Sequence, residues 1–210
     1  MAKVRQGILG GFRGKIGNII GTGWKGIAIM KAMPLSVANP RTAGQVKQRQ
    51  KFSKLVKLAS LLLAGWVKPL WDRYASQMSG YNAFVSANQG AFHPTGDIDT
   101  EALIMSKGKM LAPQHVGATV AGDKLNLVVT HPTGDKFGLP SDLIYVAWLD
   151  PYNSIVKFVG QTTAVRGASA STTLQVTAAP AVANEDANDV YVTYLRTDGS
   201  EVSNSIWVAL

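Results

Sequence analysis

From Thr42 to Trp66 the apolar positions step by three and four: Phe52, Leu55, Val56, Ala59, Leu62, Leu63 and Trp66. That spacing gathers them on one side of an amphipathic helix. Its start is marked by the turn signal Asn39-Pro40 and by Thr42-x-x-Gln45, which has the form of a capping box. Its end is expected near Gly65–Lys68, ahead of Pro69. A shorter helix with Leu70, Trp71 and Tyr74 on one side should follow, then a turn or two over Tyr81–Gln89. Residues 39–89 therefore read as a small helical unit.

From about Gly90 the period changes. Alternating or continuous β-type runs recur between turn signals at residues 102–106, 117–122, 124–130, 143–150, 154–160, 172–178, 189–196 and 201–210. Thr197-Asp198-Gly199-Ser200 reads as the hairpin loop joining the last two. Seven or eight short strands at this spacing predict an antiparallel sandwich of immunoglobulin or fibronectin type over residues 90–210. The chain has no cysteine, so an antibody-like disulfide is excluded, as are thiolate metal sites and cysteine nucleophiles.

Residues 1–38 fit neither pattern. Eight glycines, at 7, 10, 11, 14, 17, 21, 23 and 26, alternate with Ile8, Ile16, Ile19, Ile20, Trp24, Ile27 and Ile29. Such glycine density argues against a free-standing helix or a core of its own, and predicts an extended arm or β-hairpin ordered against a neighbour. The fold class is thus α+β, with a glycine-rich β-arm, a helical unit and a β-sandwich.

Gly21, Gly23 and Gly26 spell GxGxxG, the spacing of phosphate-cradling loops. The stretch after them, Lys25–Lys31, reads as a second strand where a dinucleotide fold needs a helix. No Asp or Glu precedes Asp72 to hold a ribose, and kinase and P-loop signatures are missing. The glycines are read as hairpin residues. "HPTGD" occurs twice, at His93–Asp97 and His131–Asp135, and Asp99 lies beside the first copy. A metal set is conceivable there, but Pro-Thr-Gly-Asp is first of all a turn. Glu185, Asp186 and Asp189 lack the alternate-position pattern of a calcium loop and read as a solvated turn. His93, His115 and His131 are the only histidines, and no GxSxG surrounds a serine. These readings give no catalytic residue, cofactor or metal, and the expectation is a protein that is not an enzyme.

Charge changes the picture most. Residues 1–75 hold fourteen Lys and Arg against Asp72 alone, whereas residues 76–210 hold seven against twelve acids. A basic half of this kind is expected to meet a negative partner, either nucleic acid or an acidic protein surface. The candidate contacts are Arg5, Arg13, Lys15, Lys25, Arg41, Lys47, Arg49, Lys51 and Lys54. The most apolar run, Leu58–Val67, is too short to span a bilayer, and the N-terminus carries no apolar signal-peptide core.

The block from Gln6 to Phe52, with its G-x-x-G-x-x-G-x-x-x-W-K-G pattern and N-P-x-T-x-x-Q, together with the closing "DGSEVSNS", resembles a family of unknown function common in Bacteroidota genomes and their phages. Matching positions are Gly11, Gly14, Gly17, Gly21, Trp24, Gly26, Asn39, Pro40, Thr42, Gln45, Ser203, Asn204 and Ser205. The run Gln48-Arg49-Gln50 lies in a more basic stretch than the resemblance leads one to expect. Phage-borne members imply a virion component made in the bacterial cytoplasm, in the connector or tail. Its partners would be copies of itself and other virion proteins. On this reading Gly11, Gly14, Gly17, Gly21, Trp24, Gly26, Asn39, Thr42 and Gln45 form an assembly interface, as such arms do in symmetric oligomers. The alternative is a nucleic-acid-binding protein that uses the basic half on DNA.

Overall fold

A computed structural model of the chain describes residues 3–4, 11–36, 39–150, 155–167, 169–177 and 189–210. The chain divides into two compact units, Met1–Val46 with Ser76–Met78, and Lys47–Ala75 with Ser79–Leu210. The division groups most of the helical segment with the strands that follow it.

The first unit holds a four-stranded antiparallel meander, β1 (Lys3–Val4), β2 (Phe12–Ile16), β3 (Ile19–Trp24) and β4 (Ile27–Ala32), in sequential order. It is larger than the expected hairpin. The β3–β4 turn is Lys25-Gly26, with φ of 45° and 84°. Two consecutive left-handed residues match the twist of the flanking strands, and glycine adopts that conformation without a Cβ clash. Gly21 answers a different need. A Cβ there would lie 2.5 Å from the Phe12 ring and 2.4 Å from its carbonyl oxygen, so the aromatic ring lies flush over bare backbone.

The second unit is built in three layers. Helix α1 (Ala43–Leu61) enters it at Lys47 and is followed by one wide π turn (Leu63–Val67), α2 (Lys68–Trp71) and α3 (Gly80–Ala87). Pro69 sits in the first turn of α2, where its missing N–H costs nothing, and the Ser79 hydroxyl caps α3 by accepting the Asn82 amide at 3.2 Å. The second layer is an antiparallel sheet in the order β11-β10-β7-β8, formed by Ile206–Ala209, Asp189–Leu195, Leu143–Asp150 and Ile155–Val165. The third has the order β5-β6-β9, formed by His115–Ala121, Lys124–Thr130 and Ser171–Thr177.

Two apolar clusters separate these layers. Leu55, Leu58, Leu62, Trp66, Trp71 and Phe84 pack on Tyr145, Ala147, Leu149 and Tyr191 of the middle sheet. On its other face Ile144, Val146, Trp148, Val190 and Val192 meet Val116, Leu125, Leu127, Val129 and Leu174. β7 and β10 are thus buried on both sides, which explains their continuous apolar runs. A sandwich alone would leave one face of each sheet to water. Here the helical layer covers one of those faces.

Two sequence expectations need correction. Residues 102–106 form no strand; they run as an irregular segment in which the Met105 carbonyl accepts both the Trp66 and Trp71 indole N–H groups at 2.8 Å. Those indoles end on a polar partner, as buried tryptophans usually do. Phe52, assigned to the apolar stripe of α1, is 50% exposed, and Leu58 takes a buried place instead. The reason is that no residue of α1 before Leu55 is buried, so the stripe begins a turn later than its spacing suggests.

Candidate assembly surface and basic groove

The first unit's sheet carries apolar side chains on both faces. Cross-strand partners share a face, so Ile16, Ile19 and Met30 lie on one side. Trp24, Ile27 and Ile29 lie on the other. Their exposures run from 38% for Ile27 to 67% for Met30, and all six residues of β4 are exposed. A four-stranded sheet normally stabilises itself by burying one face. Among the described residues of this unit neither face is covered, and β4 is an edge strand of the sheet.

Gly14, Gly17, Gly21, Trp24 and Gly26 all fall in this sheet or its turns, and Gly11 abuts the Ala28 side chain. Thr42 accepts the Gln45 amide on its hydroxyl at 3.4 Å and the Val46 amide on its carbonyl at 2.9 Å, which supplies the threonine half of the capping pattern at the start of α1. Asn39 precedes it in the same unit. Arg13 and Lys15 stand on β2, and the Lys25 ammonium donates to the Met78 carbonyl. Arg41 is exposed, while Arg5 lies outside the described residues. The cleft around Gly23 and Gly26 holds about 150 Å³. Small-molecule sites usually offer roughly 300–1,000 Å³, so this cleft does not suit a nucleotide.

In the second unit three of the predicted cations, Lys47, Lys51 and Lys54, come together with Lys57, while Arg49 lines a neighbouring groove. Lys47, Lys51, Lys54 and Lys57 step along one side of α1 and line an open groove of about 450 Å³ with Gln50 and Ser53. The Thr95-Gly96 turn of the first HPTGD copy forms the opposite wall. Lys47 donates to the Pro94 carbonyl at 2.7 Å, and Lys54 pairs with Asp97 at 2.6 Å. That ammonium, with a second bond from Thr95, holds the half-exposed Asp97 carboxyl below the ordinary value. The Lys51 ammonium stands 5.3 Å above the Phe92 ring. A second groove shares Ser53 and is lined by Gln48, Arg49, Phe52, Val56 and Gln89.

The two HPTGD copies part company. The first is the surface turn just described, closed by the Gly96 amide on the His93 carbonyl at 2.9 Å. His93 lies 4.0 Å from Asp99 across partly exposed surface. In the second copy His131 is buried, its ring nitrogens 2.7 Å from the Tyr194 hydroxyl and 2.8 Å from the Thr172 hydroxyl. Burial, and secondarily the Arg166 charge, hold its imidazole below the ordinary value. Asp135 bonds Arg166 at 2.8 Å, and Asp142 lies 3.8 Å from the same guanidinium. Burial pushes both carboxyls up. For Asp135 the Arg166 bond and the Phe137 and Leu111 amides outweigh it and leave the group low, whereas Asp142 stays high. Among the described residues no three His, Asp or Glu side chains are grouped to hold a metal. Asp189, expected in a solvated turn, is instead buried on β10, where it accepts the Trp207 indole at 2.6 Å; Glu185 and Asp186 lie outside the described residues.

The closing SNS segment is structural wiring. The Ser203 hydroxyl accepts the Tyr194 amide at 2.9 Å, Asn204 accepts the Gly108 amide at 3.2 Å, and the Ser205 hydroxyl accepts the Ser106 amide at 3.2 Å. Sequence reasoning missed Asn88, which is wholly buried and clamps Ile104 from both sides through its amide group. Its place just after the last turn of α3 was the available signal.

None of the curated proteins compared with the chain matches it. The glycine block from Gly11, the helix start at Asn39 and the SNS segment all lie within residues 11–209, the span matched by the model of a family of unknown function (DUF6266), and the chain belongs to that family.

Proposed function

We propose that the protein is a non-enzymatic structural subunit that assembles with copies of itself through its N-terminal sheet. The observation that carries this reading is the sheet with exposed apolar side chains on both faces, uncovered by the described residues of its own unit. Contiguous exposed apolar surface of this kind marks interaction sites in soluble proteins. The open β4 edge offers backbone pairing to a neighbour's strand in addition. The resemblance drawn from the glycine-rich block supports placing the subunit in a phage virion, as a ring, connector or tail component. We read the two facing antiparallel sheets as an immunoglobulin- or fibronectin-like sandwich that displays a partner-binding surface; their strand pairing and shared apolar layer support it.

Light scattering on the full chain tests the assembly. A discrete multimer is expected at both low and high salt, because apolar contacts are little screened. Ile29→Glu with Met30→Glu places charge on both faces and should dissociate it, leaving the second unit's tryptophan fluorescence unchanged. A full chain that stays monomeric at high micromolar concentration would sink the reading.

A further inference from the structure

We propose that the two adjoining grooves on α1 bind a single strand of nucleic acid, with phosphates along the lysine groove and a base stacked on Phe52. This goes beyond the assembly reading and uses a different unit of the chain. Lys47 and Lys57 are ten residues apart, about 15 Å of helix at 1.5 Å per residue. That row of ammonium groups faces one carboxylate, Asp97, which leaves an excess of about three positive charges in one groove.

The lining decides which anion suits it. Among the described residues no side chain lining the lysine groove is apolar; between the ammonium groups stand Gln50, Ser53 and Thr95. An acidic protein partner would need an apolar anchor at the centre of its contact, and the apolar side chains, Phe52 and Val56, lie outside the lysine groove. Point charges interleaved with neutral donors match phosphodiester oxygens, which such groups hold in position without reading sequence. The neighbouring groove supplies what a lone phosphate would not need. Phe52 is 50% exposed and is flanked by the amide side chains of Gln48 and Gln89. Exposed aromatic faces beside a cationic track are how single strands are gripped, each base stacking on a ring while the backbone follows the charges. Ser53 lines both grooves, so one nucleotide can reach from one to the other. A duplex keeps its bases stacked inside and gains nothing from Phe52.

Fluorescence anisotropy with a labelled oligothymidylate of twenty residues and the full chain tests this. With three phosphates neutralised, affinity should fall about 20-fold between 50 and 200 mM salt, from a slope of roughly −0.7 per contact. Phe52→Ala should weaken binding at least about fivefold, and Lys51→Gln with Lys57→Gln should remove most of it. Arg13→Gln with Lys15→Gln, on the sheet, should leave it unchanged. Absence of binding at 50 mM salt, loss through the sheet variant instead, or indifference to Phe52→Ala would each overturn the proposal. So would tighter binding of a 20-base-pair duplex, or competition by polyglutamate as strong as by unlabelled oligothymidylate.

Discussion

Replacing Arg166 by Met removes the guanidinium that bonds Asp135 from a buried ion cluster while keeping much of the side chain's volume. The guanidinium lies 2.8 Å from Asp135 and 3.8 Å from Asp142, and the three side chains are 7%, 2% and 0% exposed. It also stands 5.0 Å from the Tyr194 ring centre and donates to the Pro132 carbonyl at 3.2 Å. Removing one partner of a buried pair costs about 3–5 kcal/mol, because the other charge is left in a poor solvent. The two carboxylates do not share that cost equally. Asp135 keeps the Leu111 and Phe137 amides, at 3.2 and 3.1 Å. Asp142 keeps the Leu139 amide on one oxygen, and its other oxygen has no hydrogen-bond partner among the described residues. The loss should therefore fall mainly on Asp142, whose carboxyl burial already raises. A carboxyl with a raised folded value gains stability as pH falls through that value, because the folded state then binds the extra proton. In Arg166→Met the deficit should be about 3–5 kcal/mol at pH 7.5 and clearly smaller at pH 5. Adding Asp142→Asn should restore more than half of it at pH 7.5. His131 responds to pH in the same direction once Arg166 is gone, so the Asp142→Asn background is what isolates the carboxylate. Urea unfolding followed by tryptophan fluorescence reads all of this, with m-values checked for constancy. A deficit below about 1 kcal/mol at both pH values, or simple additivity with Asp142→Asn, refutes the reasoning.

The remaining predictions concern single groups. His131 is held below its ordinary 6.5 by burial, so its contribution is complete above pH 6.5 and is lost as pH falls below it, at up to about 1.4 kcal/mol per unit. His131→Gln should flatten that part of a stability-against-pH curve. A Cβ on Gly108 would meet the Val202 carbonyl oxygen at 1.8 Å, so Gly108→Ala must displace the strand bridge there; a large drop in the urea midpoint, or failure to fold, is expected. Gly44 lies in α1 with nothing within 4 Å of an added Cβ. Gly44→Ala should raise stability by about 0.5–1 kcal/mol, measured in the same assay.

Much of the fold was legible because its signals are local. The runs 124–130 and 143–150 coincide with β6 and β7, Pro69 opens α2, and the Asp198-Gly199 loop turns where expected, with Gly199 at φ 70°. What stayed hidden depends on residues far apart in the chain. Periodicity cannot say that β7 and β10 are roofed by helices, since a strand covered twice and a short buried helix share the same apolar run. Residues 102–106 look like a strand because Leu103 and Met105 must be buried, yet they pair with indoles and Asn88 in place of a neighbouring strand. The Arg166 cluster joins positions up to 31 residues apart and left no pattern at all. The candidate surfaces were half visible. Glycines, Trp24 and the lysine row could be named from sequence, but not that β4 would be bare on both faces, nor that Phe52 would stand outside the core.

The packing of the helical layer sets an order of events during synthesis. Leu55, Leu62 and Trp66 rest on a sheet whose central strands include β10, and Val202 joins the same cluster. Helices that leave the ribosome early must therefore wait for more than a hundred further residues before their apolar side is shielded. Translation at roughly 5–20 residues per second makes that an interval of several seconds or more. During that interval the nascent chain shows a tryptophan-rich face to solvent, which makes it most open to aggregation before β10 is made.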